Sequence, residues 1–187
     1  MKKSYSIRLV STEDAQALLE IYAPFVLNTA VSFETEVPDL TIFQTRIVEY
    51  GSKAPWLVAE DSGEILGYAY ATGHRSRGAY RWTQEVTVYV HPNHRKKGVA
   101  RALYTQLLEC LKELGYTQAL GIITLPNEAS IQFHRSLGFH HLGDMEKIGY
   151  KLGRWHTTSW WALQLQTDDF VPEELKPVEA ILPLLNV

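Results

Sequence analysis

Cysteine is nearly absent. Cys110 is the only one in 187 residues, which excludes an internal disulfide framework and fits a reducing compartment. No apolar run reaches the length of about 18 residues that a membrane helix needs. Lys2 and Lys3 open the chain, but no hydrophobic stretch follows them to make a signal peptide. A soluble, cytoplasmic protein with no membrane partner is expected. Neither sign of charge dominates: 18 lysines and arginines face 21 acidic residues, for a net charge of −3. That balance gives no general attraction to nucleic acid, so any basic run is a local feature. Repeats and low-complexity tracts are missing as well. One domain with a sizeable core suits this length.

The stretch Val86-Thr-Val-Tyr-Val90 is β-branched or aromatic throughout, the composition of a buried strand. Pro92 and Asn93 end it, and the basic turn Arg95-Lys96-Lys97-Gly98 opens into a helical pattern. Val99, Ala100, Leu103, Leu107, Cys110, Leu111 and Leu114 share one face of that helix, and Gly115 closes it. Cys110 on the apolar side reads as a small core residue. The first amides of a helix have no internal partner and carry the positive dipole end, and a glycine lets a phosphate approach the backbone. A βα turn with a solvated basic patch has the same spacing, so both readings stand on pattern alone. The sequence matches neither a Walker loop nor a G-x-G-x-x-G fingerprint.

Around this centre, the pattern predicts a strand over Ser6 to Val10 and a helix from Ser11 to about Leu27, with Asp14 completing its cap and Pro24 kinking or ending it early. Asp39 is a plausible N-cap for a second helix ending near Gly51. Trp56 to Glu60 and Ile65 to Ala71 read as strands joined by the turn Asp61-Ser-Gly-Glu64. Arg75-Ser-Arg-Gly78 is a basic loop before a long strand from Arg81 to Val90. Further strands are expected at Tyr116 to Thr124, Phe139 to Ile148 and Trp155 to Gln166. A short helix spans Asn127 to Leu137, and a Gly/Lys/Arg-rich turn separates the last two strands. Strands alternating with helices, then terminal antiparallel strands, indicate an α/β fold with a mixed sheet. Residues 1–166 form this domain. Residues 167–187 carry Asp168, Asp169, Glu173 and Glu174, then an apolar end that Pro172, Pro177 and Pro183 keep from forming a long helix. This tail is expected to pack on the domain or on a partner subunit.

Arg95-x-x-Gly98-x-Ala100 after a Val-Tyr-Val strand resembles the acetyl-CoA pyrophosphate loop of the GNAT superfamily of N-acetyltransferases. Pro55-Trp-Leu-Val-Ala-Glu60, Ala79-Tyr-Arg-Trp-Thr-Gln-Glu85, Leu125-Pro-Asn127, Phe133-His134 through Gly138-Phe139, and Gly149-Tyr-Lys-Leu-Gly-Arg-Trp-His156 resemble its phosphinothricin (methionine sulfoximine) acetyltransferase family, in order, from about residue 6 to residue 166. The resemblance implies a single GNAT domain with a mixed, mostly antiparallel, twisted sheet of about seven strands flanked by helices. It also implies acetyl-CoA as co-substrate, a small amine acceptor and a homodimer.

Acetyl transfer from a thioester needs a neutral amine, a donor for the oxyanion and a leaving thiolate. Glu85 is the candidate base: a carboxylate followed by five apolar or β-branched residues is costly without partners or a purpose. The resemblance places it on the family's Thr-x-Glu segment. The alternative is a carboxylate at a sheet edge, hydrogen-bonded to Arg81 or exposed. Gln84 departs from the apolar residue usual beside it. His134 occupies the place where many GNAT enzymes have a tyrosine acting on the CoA thiolate, and imidazole can serve as acid or base. It could equally be a satisfied surface or core group, and which of Glu85 and His134 takes the first proton stays open.

By the same resemblance, the donor lies between strand 86 to 90 and strand 119 to 124. The backbone of Val88, Tyr89 and Val90 would meet the pantetheine arm, with one N–H as oxyanion donor. Arg95, Lys96, Lys97, Gly98, Val99, Ala100 and Arg101 would take the pyrophosphate. Asn127 and Ser130 would contact the pantetheine region, with a helix N-cap the other role for Asn127. Phe33, Arg75, Arg77 and Tyr80 are the acceptor-binding candidates, since arginine forks suit a carboxylate or phosphinate. An exposed basic loop explains the arginines as well. Lys151, Arg154, Trp155 and His156 make a turn that closes the acceptor pocket or a dimer. His91, His94, His140 and His141 lack a cysteine or carboxylate at ligand spacing, so no metal is expected.

The reading that follows is an acetyl-CoA-dependent N-acetyltransferase. It acts directly, in a ternary complex, on the α-amine of an acceptor such as phosphinothricin, methionine sulfoximine or methionine sulfone. No cysteine lies in the motifs to carry an acyl intermediate. Another amine (a polyamine, an aminoglycoside or a protein N-terminus) and a non-catalytic acyl-CoA-binding module are the alternatives.

Overall fold

Among the described residues every strand pairing but one is antiparallel, and the exception shapes the molecule. The computed structural model describes residues 5–167 and 169–185; Lys2, Lys3 and Asp168 lie outside them. In chain order its elements are β1 (Ser6–Leu9), α1 (Ala15–Asn28), α2 (Leu40–Gly51), β2 (Trp56–Asp61), β3 (Glu64–Gly73), β4 (Thr83–Val90), α3 (Val99–Glu113), β5 (Gln118–Thr124), α4 (Glu128–Ser136), β6 (His140–Lys151), β7 (Arg154–Gln164) and α5 (Leu182–Leu185). The seven strands form one sheet in the order β1-β2-β3-β4-β5-β7-β6. Only β4 and β5 run parallel, joined by the crossover helix α3.

The two faces of the sheet bury different cores. Leu103, Leu107 and Leu111 of α3, each fully buried, cover Leu57, Ala59, Ala69, Ala71, Val86 and Ala119. On the other face, Leu18, Ile21 and Val26 of α1 and Phe43 and Ile47 of α2 cover Trp56, Val58, Tyr68 and Tyr89. Period-2 alternation assigns the positions: in β4, Gln84 and Val86 are buried under α3, whereas Tyr89 stacks among the rings under α1. Residues 169–185 add to the α3 side. Ile181 is fully buried there, the Lys176 N–H donates to the Leu114 carbonyl (3.0 Å), and Trp82 Nε1–H donates to the Glu173 carbonyl (3.0 Å).

Several expected boundaries move, each for a local reason. α1 begins after a 3₁₀ turn at Thr12–Asp14 and runs through Pro24 without ending. Pro24 and Glu20 lie on the exposed side, where water can replace the lost hydrogen bond. β4 starts at Thr83 rather than Arg81, because the chain first makes a 3₁₀ turn at Gly78–Tyr80 that Arg81 closes. β5 starts at Gln118 rather than Tyr116. The Tyr116 N–H is committed to the Leu111 carbonyl and the Gly115 N–H to the Lys112 carbonyl, a Schellman end with Gly115 at φ +94°. The turn between β6 and β7 shrinks to Leu152 and Gly153, both at positive φ, so Lys151 and Arg154 belong to strands.

Close packing across β3 and β4 sets one firm requirement. A Cβ at Gly67 would stand 2.7 Å from the Tyr89 carbonyl oxygen, a backbone atom that cannot swing away. Gly67→Ala should therefore lower stability by about 1–3 kcal/mol in urea unfolding, and an unchanged midpoint would show that this pair of strands is looser than drawn.

Candidate active site

β4 and β5 pair only from Thr83 opposite Gln118 to Glu85 opposite Leu120. Beyond that point both strands continue, β4 to Val90 and β5 to Thr124, held by β3 and β7 on their outer sides. A wedge opens between them. The cleft expected over 119 to 124 is thus shorter: Ala119 and Leu120 are paired, and it starts at Gly121.

Strand parity says which backbone groups line the wedge. The His91 N–H reaches the Leu66 carbonyl and the Thr83 carbonyl accepts from the His74 N–H, so odd-numbered residues of β4 turn toward β3. Even-numbered ones turn toward β5, as the Trp82 carbonyl does by accepting from the Thr117 N–H. The N–H and C=O groups of Val88 and Val90 therefore face the open edge. Tyr89 does not: its backbone faces β3 and its ring packs against Tyr22, Phe25 and Tyr68.

At the apex of the wedge the Tyr104 hydroxyl donates to the Val86 carbonyl (2.8 Å) and lies 3.1 Å from His134 Nε2. The other imidazole nitrogen, Nδ1, is 2.8 Å from the Ser130 carbonyl. A carbonyl can only accept, so Nδ1 carries the hydrogen and neutral His134 presents a lone pair at Nε2. The single Tyr104 proton is already on Val86, which leaves Nε2 short of a donor. A proton arriving there would complete a run from Ser130 through His134 and Tyr104 to Val86. Burial opposes that charge and pushes the His134 imidazole below its ordinary value, with the Ser130 carbonyl offsetting part of the effect. His134 is 5 % exposed and sets the Cδ2–Nε2 edge of its ring against Gly121, where a Cβ would come within 2.6 Å of both atoms.

Glu85 points to the opposite face, and its partner is not Arg81. Its Oε1 is 2.7 Å from His74 Nδ1, a residue that pattern reading passed over. Arg81 instead stacks over Trp82 at 4.1 Å. Gln84 is buried under α3 with its side-chain oxygen unpartnered. The acceptor candidates lie on the side of Glu85. Arg75 Nε donates to His74 Nε2 (3.3 Å) and its guanidinium stands 5.7 Å from the Tyr80 ring, while Arg77 is exposed. Phe33 is placed by the far hairpin: its ring fills the space over Gly149 and meets His156. Lys151 holds the same loop by donating to the Ser32 carbonyl (2.6 Å), and His156 Nε2 donates to the Lys151 carbonyl (3.0 Å).

The wedge and the turn after β4 fit a nucleotide thioester. Gly98 has φ +82° with open space where a Cβ would be, and the first α3 amides of Val99, Ala100 and Arg101 precede the helix's own bonding. Lys96 and Lys97 are exposed there. Arg95 leans over Phe25 (5.5 Å), and Arg101 donates to Ser136 Oγ (2.6 Å), linking α3 to α4. Asn127 caps α4, its Oδ1 accepting from the Ser130 N–H (3.1 Å). Among the described residues no group of three or more His, Cys, Asp or Glu could hold a metal ion. Here His94 pairs with Glu64 and His141 with Asp144. No helix of the described residues is long and apolar enough to cross a membrane.

A sheet parted beside a free helix N-terminus can take an extended, phosphate-bearing ligand, and the family match says which class of enzyme uses it. Residues 7–160 match the acetyltransferase (GNAT) domain, and the chain belongs to that family of enzymes. It is 33% identical to a phosphinothricin N-acetyltransferase of Streptomyces viridochromogenes over 96% of each chain. It is 35% identical to an L-methionine sulfoximine/L-methionine sulfone acetyltransferase of Salmonella typhimurium, covering 86% of this chain and 94% of the other. A Sinorhizobium meliloti phosphinothricin acetyltransferase, crystallised with acetyl-CoA, superposes with a TM-score of 0.87 at 33% identity over 92% of this chain and 95% of that one.

The contact of His134 with Gly121 gives a test of the apex. Gly121→Ala should displace the imidazole and lower kcat by about 10- to 100-fold in a protein that still folds; wild-type turnover would show that the position of His134 does not matter.

Proposed function

We propose that the enzyme transfers acetyl from acetyl-CoA to the α-amine of a small amino-acid-like acceptor of the phosphinothricin or methionine sulfoximine type, by direct attack. The observation that carries this is the wedge between β4 and β5, with a proton-handling side chain on each face of the sheet. When bound, acetyl-CoA supplies an activated thioester. Val88 and Val90 hold its pantetheine arm through backbone groups on the open edge. The amides from Lys96 to Arg101, with Arg95, Lys96 and Lys97 nearby, receive the pyrophosphate. Asn127 and Ser130 flank the arm from α4.

Glu85 Oε2 takes a proton from the acceptor's ammonium, directly or through one water, because an α-amine attacks only when neutral. A Val88-side N–H stabilises the oxyanion. His134 serves the thiol side, moving a proton at Nε2 with Tyr104 beside it. Phe33 walls the acceptor, and Tyr80 with Arg75 and Arg77 reads its acidic end. The relatives named phosphinothricin and methionine sulfoximine acetyltransferases support this acceptor class.

We read residues 1–166 as the catalytic domain and 167–187 as a tail packed on it, supported by the burial of Val178 and Ile181. The buried, reduced Cys110, whose thiol burial pushes up to about 11, is consistent with the cytoplasm. A homodimer is the proposed assembly. β6 is an edge strand, and Leu142, Ile148, Tyr150, Leu152 and Trp155 on its hairpin are all more than half exposed.

Three measurements test these readings. Thiol release from acetyl-CoA should be rapid with phosphinothricin, methionine sulfoximine or methionine sulfone and absent with spermidine or a short peptide. Glu85→Gln should cut turnover at least about 100-fold with acetyl-CoA affinity unchanged; turnover confined to another amine, or an undiminished variant, would remove the acceptor or the base. Light scattering at micromolar concentration should give twice the chain mass and Trp155→Glu with Tyr150→Glu a single mass, whereas a monomeric wild type would remove the dimer.

A further inference from the structure

We infer that His74 is a positioning residue for Glu85, the middle link of a run Arg75–His74–Glu85 that leaves one carboxylate oxygen for the acceptor. The inference rests on Glu85 being the base. Arginine Nε always carries a hydrogen, and Arg75 Nε donates to His74 Nε2 (3.3 Å). That nitrogen is therefore the bare one in the neutral ring, so Nδ1 bears the hydrogen and donates to Glu85 Oε1 (2.7 Å). Direction is set along the whole run.

The ring is also held against rotation. Tyr80 meets it edge-on with centroids 5.7 Å apart, and Trp160 of β7 does the same at 5.9 Å. The backbone ties it further, since the His74 N–H donates to the Thr83 carbonyl two residues before Glu85 (3.4 Å). The His74 side chain is 13% exposed against 31% for Glu85, so the histidine is the better anchored partner. Among the described residues, the Glu85 carboxylate has no other hydrogen-bond partner. With Oε1 occupied, Oε2 is the oxygen free to receive a proton.

The charged and titratable groups around His74 are few. Glu85 faces it from β4, Tyr80 from the 3₁₀ turn and Arg75 from its own loop. Lys53 and Arg81 share with His74 and Arg75 a cavity of about 790 Å³ at this end of the sheet, and no carboxylate lines that cavity. The His74 N–H fixes the orientation of the carboxylate that acts as base. Arg75 thereby gains a task beyond reading an acidic acceptor group.

The test uses the whole enzyme and two replacements. His74→Phe keeps the ring contacts and removes both nitrogens, while His74→Asn restores an N–H near the place of Nδ1. His74→Phe should lower kcat by about 10- to 100-fold without changing the KM for acetyl-CoA. His74→Asn should recover most of the rate. Added to Glu85→Gln, His74→Phe should cost nothing more. A wild-type rate for His74→Phe overturns the inference, as do equal losses in the Phe and Asn variants, which would assign His74 to packing. Undiminished turnover in Glu85→Gln would remove the base itself, a result distinguishable from failure of the His74 variants alone.

Discussion

Parallel pairing between β4 and β5 lasts three residues on each strand and then stops. The active centre depends on that interruption. Buried backbone N–H and C=O groups are almost always paired, because an unpaired one costs about as much as a lost hydrogen bond. Here the Tyr104 hydroxyl satisfies the first exposed carbonyl, at Val86, and the following even-numbered groups are left to a ligand. An extended amide-bearing chain is the natural occupant, since it can pair as a strand would. The crossover helix serves both ends of this arrangement. Its N-terminus stands at the mouth of the wedge, and its Tyr104 reaches the apex.

Strand parity separates the chemistry into two compartments. Glu85 and Val86 are neighbours in sequence, yet one side chain turns to the α1 and α2 face and the other is buried under α3. His134 joins the second compartment through Gly121, and His74 joins the first through Thr83 and Trp160. The proposed base and the proposed partner of the CoA thiolate therefore lie on opposite faces of one sheet. On that proposal the wedge is where the two compartments meet and where the acetyl group would sit. Geometry assigns distinct sides to two residues that sequence could only nominate together.

Much of the fold was legible because its signals are local. The β-branched run at Val86 to Val90, Gly115 at a helix end, Asp39 at a helix start and the Ser62-Gly63 turn each state their structure within a few residues. Pro24 misled for the same reason: its local rule is real, but an exposed position made the lost hydrogen bond cheap. What stayed hidden is long-range. His74 is one histidine in a basic loop until β3 and β4 are paired, and Glu85 then faces Thr72 two residues away from it. Tyr104 reads as a core residue of a helix until its hydroxyl is seen between Val86 and His134.

The proposed acceptor side shows how far such dependence reaches. Ser32 and Phe33 sit in a loop with no regular structure of their own; Tyr22 holds the Ser32 hydroxyl (2.6 Å), and further contacts come from more than a hundred residues later. Lys151, nearly buried, places its ammonium on the Ser32 carbonyl, and burial pushes that amine below its ordinary value. Gly149 leaves room for the Phe33 ring that any side chain would displace. The tight Leu152-Gly153 turn returns the chain so that His156 can support Lys151 from across the hairpin. This hairpin also carries the exposed apolar edge of β6. Gly149, Lys151 and His156 therefore tie the Phe33 loop to the same two strands that present that edge.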